Sequence, residues 1–196
     1  LFLARVLGAQ YLMNNINVDV IRQRAKRQVL LNAGLFLIFF LYFVARVLLM
    51  DGYAYDPDTL IVFMEPNKYL NNFLQMPLVL LFFLAGVVLV LLGIAQSGLK
   101  GKISGIWLSG PGTVLTVLAL FLILGYNNTS FYPSSFDLQS SLTIQNASSS
   151  QYTLTAMSYI SLFVPVVIAY IFFTWRAIDK RKIDAADMQG GDHHVY

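Results

Sequence analysis

The chain has 196 residues, of which 57% are hydrophobic and 12% charged, and its formal net charge is +3; an ordinary soluble domain carries about a quarter charged residues. The apolar fraction exceeds what a domain of this size hides inside, so the excess must face lipid. That excludes a soluble enzyme and a disordered chain, and the even spread of charge excludes a nucleic-acid binder.

The opening residues, Leu1-Phe2-Leu3-Ala4-Arg5-Val6, lack an initiator Met and a leader pattern. They read as the continuation of a longer protein, cut part-way through a hydrophobic helix. Residues 1–14 fit the last part of one spanning helix. Residues 15–28, with Arg22, Arg24, Lys26 and Arg27, read as a basic loop. Crossing a hydrocarbon core of about 30 Å takes about 20 mostly apolar residues. Four further segments meet that length: residues 29–50, 74–96, 106–126 and 156–178. Each is read as a helix, because an isolated strand would leave its backbone groups unpaired in lipid.

Between the first two of these, residues 51–73 carry Asp51, Asp56, Asp58 and Glu65 against a single Lys68. Pro57 and Pro66 bracket an apolar run, residues 60–64, which reads as a short helix lying on the membrane with Asp58 as its cap. Tyr53, Tyr55, Tyr69 and Phe73 suit an interfacial aromatic belt, and a quinone-contacting role is the sharper alternative. Gly86 and Gly93 lie seven residues apart on one helix face, which lets another helix approach closely. Lys100 and Lys102 occupy the next short turn, and Gly110-Pro111-Gly112 is expected to interrupt the start of the span that follows. Residues 127–155 include 12 Ser or Thr and one charge, Asp137. Such a stretch is either a solvated linker or a loop ordered by bonds to its own backbone. Its glycosylation tripeptides at Asn127, Asn128 and Asn146 are frequent by chance in a Ser/Asn-rich stretch. Pro165 should kink the last span by depriving the Ser161 carbonyl of its partner. Proline and glycine breaks also mark substrate sites in transporters, but no intramembrane acid accompanies these, and packing is the preferred reading.

Ten of the 13 basic residues fall in residues 15–28, 97–105 and the segment from Arg176 to Lys182. Basic and non-basic connections therefore alternate, which places the C-terminus in the cytoplasm and the first residue toward the outside. The expected fold is an all-α integral membrane protein, an up-and-down four-helix transmembrane bundle plus the end of a preceding helix. Its parts are residues 1–28 (helix end and basic cytoplasmic loop), 29–178 (the bundle) and 179–196 (a cytoplasmic tail).

Chemistry-bearing residues are few. Cysteine is absent and the only histidines are His193 and His194, so disulfides, Cys-ligated zinc and axial haem ligation inside the membrane have no His or Cys donors. With Asp187 and Asp192 the two histidines could bind a metal weakly; Gly190-Gly191 beside them favours a plain polar tail. Intramembrane ionisable groups are functional suspects. Arg46, near the outer end of its span with Asp51 close by, is the candidate for an anionic headgroup, a quinone oxygen or a partner's ion pair. Snorkelling to the interface is the simpler reading. Arg5 sits in the truncated helix.

The run Phe131-Tyr132-Pro133-Ser134-Ser135, then Ser141-Leu142-Thr143-Ile144-Gln145-Asn146-Ala147-Ser148-Ser149-Ser150, then Thr153-Leu154, Met157 and Val164-Pro165, resembles the C-terminal signature of cytochrome bd quinol oxidase subunit II. Gly8-Ala9-Gln10-Tyr11-Leu12 followed by Arg22-Gln23-Arg24-Ala25 resembles the junction after that subunit's fourth helix, and Asp51-Gly52-Tyr53 is similar to its next outer loop. The likeness runs through the whole chain in order. It departs at Gln145, where the family usually has a tryptophan. The resemblance implies the second bundle of an eight-helix subunit in a bacterial or archaeal cytoplasmic (inner) membrane. It also implies a quinol-oxidising, oxygen-reducing complex whose haems b and d and main quinol site belong to a partner, subunit I. Subunit II would support assembly, with proton or oxygen access and a structural quinone associated with it. The residues tied to proton access lie in the half not represented here, so none is carried over. Met50, Met64 and Met76 read as packing rather than as ligands. A transporter or permease half is the alternative from another class, with Ser109, Thr113, Thr116 and Ser161 as its only polar candidates. A purely structural scaffold is a third.

Overall fold

The computed structural model describes residues 1–178 and 182–183. Helix α1 (Phe2–Asn15) turns into α2 (Asp19–Leu49), which is followed by a hairpin of β1 (Gly52–Tyr55) and β2 (Val62–Glu65). Then come α3 (Lys68–Gln75), α4 (Pro77–Ile94) with a π-helical turn at Ala95–Leu99, and a 3-10 turn at Ile103–Gly105 leading into α5 (Ile106–Gly125). A long connection containing α6 (Ile144–Ala147) leads to α7 (Gln151–Ser161) and α8 (Val164–Ile178). Among the described residues, four helical segments are long and apolar enough to cross a membrane: Asp19–Leu49, Pro77–Leu99, Ile103–Gly125 and Gln151–Ile178. The protein is an all-α, membrane-embedded chain.

Several elements depart from expectation. Helix α2 starts at Asp19 rather than near residue 29, so Arg22, Arg24, Lys26 and Arg27 lie on its first turns and not in a loop. Arg, Lys, Gln and Ala are good helix formers, and Asp19 in the first turn complements the helix dipole. Pro111 does not interrupt α5, which is continuous through it; in the second turn of a helix it removes only the bond to the Trp107 carbonyl. Pro165 acts more strongly than a kink. Leu162 and Phe163 form a turn, and α8 begins with Pro165 in its first turn, where a missing N–H has no helical partner to lose.

Two clusters of buried side chains hold the spans together. Near the basic end, Val6, Ala9 and Met13 of α1 pack with Ala25, Val29 and Ala33 of α2 and with Val90 and Ile94 of α4. At the hairpin end, Val47, Tyr69, Phe73, Phe83, Ala119 and Ile123 join α2, α3, α4 and α5. Between α4 and α5 the backbones nearly touch. A Cβ on Gly86 would lie 2.8 Å from the Gly112 carbonyl oxygen, and one on Gly93 would lie 2.6 Å from that of Gly105. The expected close approach at Gly86 and Gly93 is therefore present. The α7–α8 span buries no residue. It rests against the outside of the molecule, where the rings of Tyr11 and Trp175 meet edge to face.

Candidate functional site

The most elaborate polar structure is a cap at the hairpin end. The surface-helix reading of residues 60–64 is corrected: Val62–Glu65 is strand β2, paired antiparallel with Gly52–Tyr55. Asp58 caps no helix. Asp56 organises the turn instead, its carboxylate accepting from the Asp58 N–H at 3.0 Å and the Thr59 hydroxyl at 2.9 Å. β-branched and aromatic residues on both sides of such a turn favour a hairpin. The surface helix lies further on, as α3, which buries Lys68, Tyr69, Asn72 and Phe73 on one side. Tyr55, Tyr69 and Phe73 are thus buried against the protein and do not form an interfacial belt.

The Ser/Thr-rich connection folds back onto this hairpin as an ordered cap. Ser130 N–H donates to the Tyr53 carbonyl, and Tyr55 N–H to that of Asn128. The Gln139 side chain forms two 2.9 Å bonds with the Val62 backbone, accepting from its N–H and donating to its carbonyl. Thr143 and Asn146 form a reciprocal capping box on α6, and the Asn146 amide also donates to the Ser141 carbonyl. Beneath them Asn72 is fully buried. Its Nδ2 donates to the Ile123 carbonyl and the Thr129 hydroxyl, while its Oδ1 accepts from Asn127.

Charges here are few. Partial burial works against ionisation of Glu65, but hydrogen bonds from Lys68 and Asn71 and the Lys68 charge outweigh it and hold the carboxyl below its ordinary value. The Lys68–Glu65 ion pair measures 2.9 Å. Hydrogen bonds from the Asp58 backbone and the Thr59 hydroxyl lower Asp56. Burial raises Tyr69.

Arg46 stands apart from the cap. It is exposed in the last turn of α2, and its guanidinium forms neither a hydrogen bond nor an ion pair among the described residues, Asp51 included. Arg5 is exposed on α1. His193 and His194, with Asp187 and Asp192, lie outside the described residues.

The family model for cytochrome bd terminal oxidase subunit II matches residues 1–178. The chain belongs to that family. A comparison with curated proteins finds no match. As a member of the subunit II family, the chain is a component of a respiratory oxidase complex with quinol oxidase chemistry, and a subunit I partner is implied.

The spans of this subunit II chain contain no His and no Cys, so the usual haem donors are not among their residues. Of the methionines, Met13 is buried in the core of α1 and α2, and Met76 packs on the second cluster. The transporter alternative needed open polar groups. Instead the hydroxyls of Thr113, Thr116 and Ser161 donate to carbonyls of their own helices. Ser109 is buried without a partner, as are Ser97 and the Gln10 side-chain amide. A cavity of about 160 Å³ between α1, α2, α4 and α5 is lined by Phe36, Phe40, Val87, Leu120 and other mainly apolar side chains. Asn72 and Gln139 carry no motif in the sequence that marks them as organisers of the cap. The one local signal for Asn72 is the amide pair Asn71-Asn72 set among Tyr69, Leu70, Phe73 and Leu74.

Proposed function

We propose that this chain is a non-haem accessory subunit of a cytochrome bd-type quinol:oxygen oxidoreductase. It would support assembly of the complex and the stability of the haem-bearing subunit I, and through them aerobic respiratory electron transport. Family membership across every described span carries the reading, and spans without imidazole or thiolate side chains support it. Haems b and d then reside in subunit I, and this chain supplies apolar surface and a rigid cap. The basic end, with Arg22, Arg24, Lys26, Arg27, Lys100 and Lys102, faces the cytoplasm of a bacterial or archaeal cell, and the C-terminus lies on the same side. A quinone is the ligand class that Arg46 would serve, as a donor to a carbonyl oxygen.

The experiment is deletion of the gene followed by complementation with the intact coding region. Membranes lacking the subunit should lose or alter the haem d absorbance and quinol-dependent oxygen uptake, and both should return on complementation. Unchanged haem spectra in the deletion, or solute uptake by the reconstituted protein independent of quinol and oxygen, would overturn the reading.

A further inference from the structure

We propose that the seam between α1 and α2 is a binding site for one anionic phospholipid, whose phosphate is held by Arg5 and Arg24. The site is a groove on the molecular surface near its basic end. Arg5 and Gly8 of α1 face Arg24, Gln28 and Asn32 of α2 across it, and the available space is about 460 Å³. Gly8 opens the groove, since no atom lies within 4 Å of where its Cβ would stand.

The polar groups are arranged for an incoming acceptor. Among the described residues, neither guanidinium has an acidic partner or a hydrogen bond. Asn32 is 3% exposed, and its Nδ2 is already engaged, donating to the Gln28 carbonyl and Oε1 at 2.7 and 3.0 Å. That fixes the Gln28 side chain with its amide N–H groups free of partners among the described residues. Two guanidiniums and a free amide donor suit a phosphate diester and the oxygens around it. A zwitterionic headgroup brings the same phosphate but adds a cation beside the two guanidiniums, which repel it where water is scarce, so a headgroup of net negative charge is favoured.

Depth and shape also favour a lipid. Tyr11, in contact with Trp175, marks the interfacial aromatic level at this end. Arg5 lies six residues further along α1, roughly 9 Å deeper at helical rise, within reach of headgroup phosphates for a long side chain. Beyond Arg5 the same seam becomes apolar. Leu1, just before α1, and Phe2 of α1 face Phe36, Phe39 and Phe43 of α2, and the Phe2 and Phe39 rings are stacked at 5.8 Å. The groove is therefore amphipathic along its length, with cations toward the basic end and an aromatic trough toward mid-membrane for acyl chains. An acidic side chain from a partner helix would satisfy the arginines but would not use the trough.

The test uses the intact oxidase complex in nanodiscs. Phosphatidylglycerol carrying a headgroup diazirine should label the peptides containing Gly8 and Gln28, while the matching phosphatidylcholine probe should not. By native mass spectrometry, the complex should retain an anionic phospholipid. Its occupancy should fall at least about tenfold in Arg5→Gln/Arg24→Gln and persist in Lys100→Gln/Lys102→Gln, which removes equal charge at the same end. Equal loss in both double variants, equal labelling by both probes, or unlabelled groove peptides would overturn the proposal. So would a carboxylate of another chain cross-linked to Arg5 or Arg24 in the native complex. The labelling of the wild-type complex decides the matter if the groove variant fails to assemble.

Discussion

The Asn72 side chain and the Ile123 carbonyl lie 2.7 Å apart, which ties the surface helix α3 to the last turn of the spanning helix α5. The same Nδ2 reaches the Thr129 hydroxyl at 2.8 Å, so one buried amide closes the end of a span and docks the connection that follows it. An unpaired carbonyl at a helix end is costly when buried. Asn72→Leu keeps the volume but takes the side-chain partner from the Ile123 carbonyl and one of two partners each from the Thr129 hydroxyl and the Asn127 amide, which keep their bonds to the Asn127 carbonyl and to Gln75. It should destabilise the protein by about 1–3 kcal/mol, seen as a lower thermal midpoint in detergent.

The α4–α5 seam makes a sharper steric prediction. A Cβ at Gly86 would stand 2.7 Å from the Thr116 backbone nitrogen, and a backbone atom cannot rotate away. Gly86→Ala should therefore push the two spans apart and cost about 1–3 kcal/mol. Gly34→Ala, on the open side of α2 with no atom within 4 Å, should be neutral or stabilise by about 0.5–1 kcal/mol. Thermal midpoints of the two variants should move in opposite directions or differ clearly.

Acid should loosen the hairpin end through Glu65. Its folded carboxyl sits below the ordinary value of 4.5 because Lys68 and Asn71 outweigh its partial burial. A carboxyl depressed in the folded state contributes stability that is complete above the unfolded value and is lost as pH falls through the folded one. Lowering the pH through and below the ordinary glutamate range should therefore reduce the thermal midpoint of the wild type. Glu65→Gln should show a smaller dependence over that window and a lower midpoint at neutral pH.

The spans were legible in the sequence because lipid imposes a simple requirement on length and hydropathy, and Gly86 and Gly93 were legible because close helix approach demands small residues. The cap was not. Residues 60–64 carry an apolar run that suits either a helix or a strand, and only the pairing of Tyr53 with Met64 and Ala54 with Phe63 decides between them. Tyr55, Tyr69 and Phe73 match the composition of an interfacial belt, yet the burial of Tyr69 and Phe73 against α2 and α4 depends on where α3 docks, and that of Tyr55 on the hairpin and the connection bonded to it. Gln139 and Asn72 each bond to residues more than 50 positions away, a separation that no local pattern announces. Arg46 is exposed at the end of α2, as an arginine reaching for the interface would be.

Gln139 carries the prediction for the Ser/Thr-rich connection. Its amide mimics a neighbouring strand, occupying both backbone groups of Val62. Gln139→Ala removes two partly buried hydrogen bonds, each worth about 1 kcal/mol. Hydrogen exchange at Val62 and through residues 130–147 should accelerate by about tenfold or more, while exchange in α4 and α5 stays unchanged. Uniform acceleration through the spans would show that the cap and the membrane core unfold together.

The central claim is that this chain is the non-haem partner of a haem-bearing subunit. The most direct measurement is affinity purification of the tagged, intact protein from its native membranes, followed by a reduced-minus-oxidised absorbance spectrum and separation of the subunits. A second membrane protein should co-purify, the b and d haem bands should appear in the complex, and all haem should stay with that second protein. Haem retained on this chain alone, or a stable preparation of this chain with neither partner nor haem signal, would contradict it.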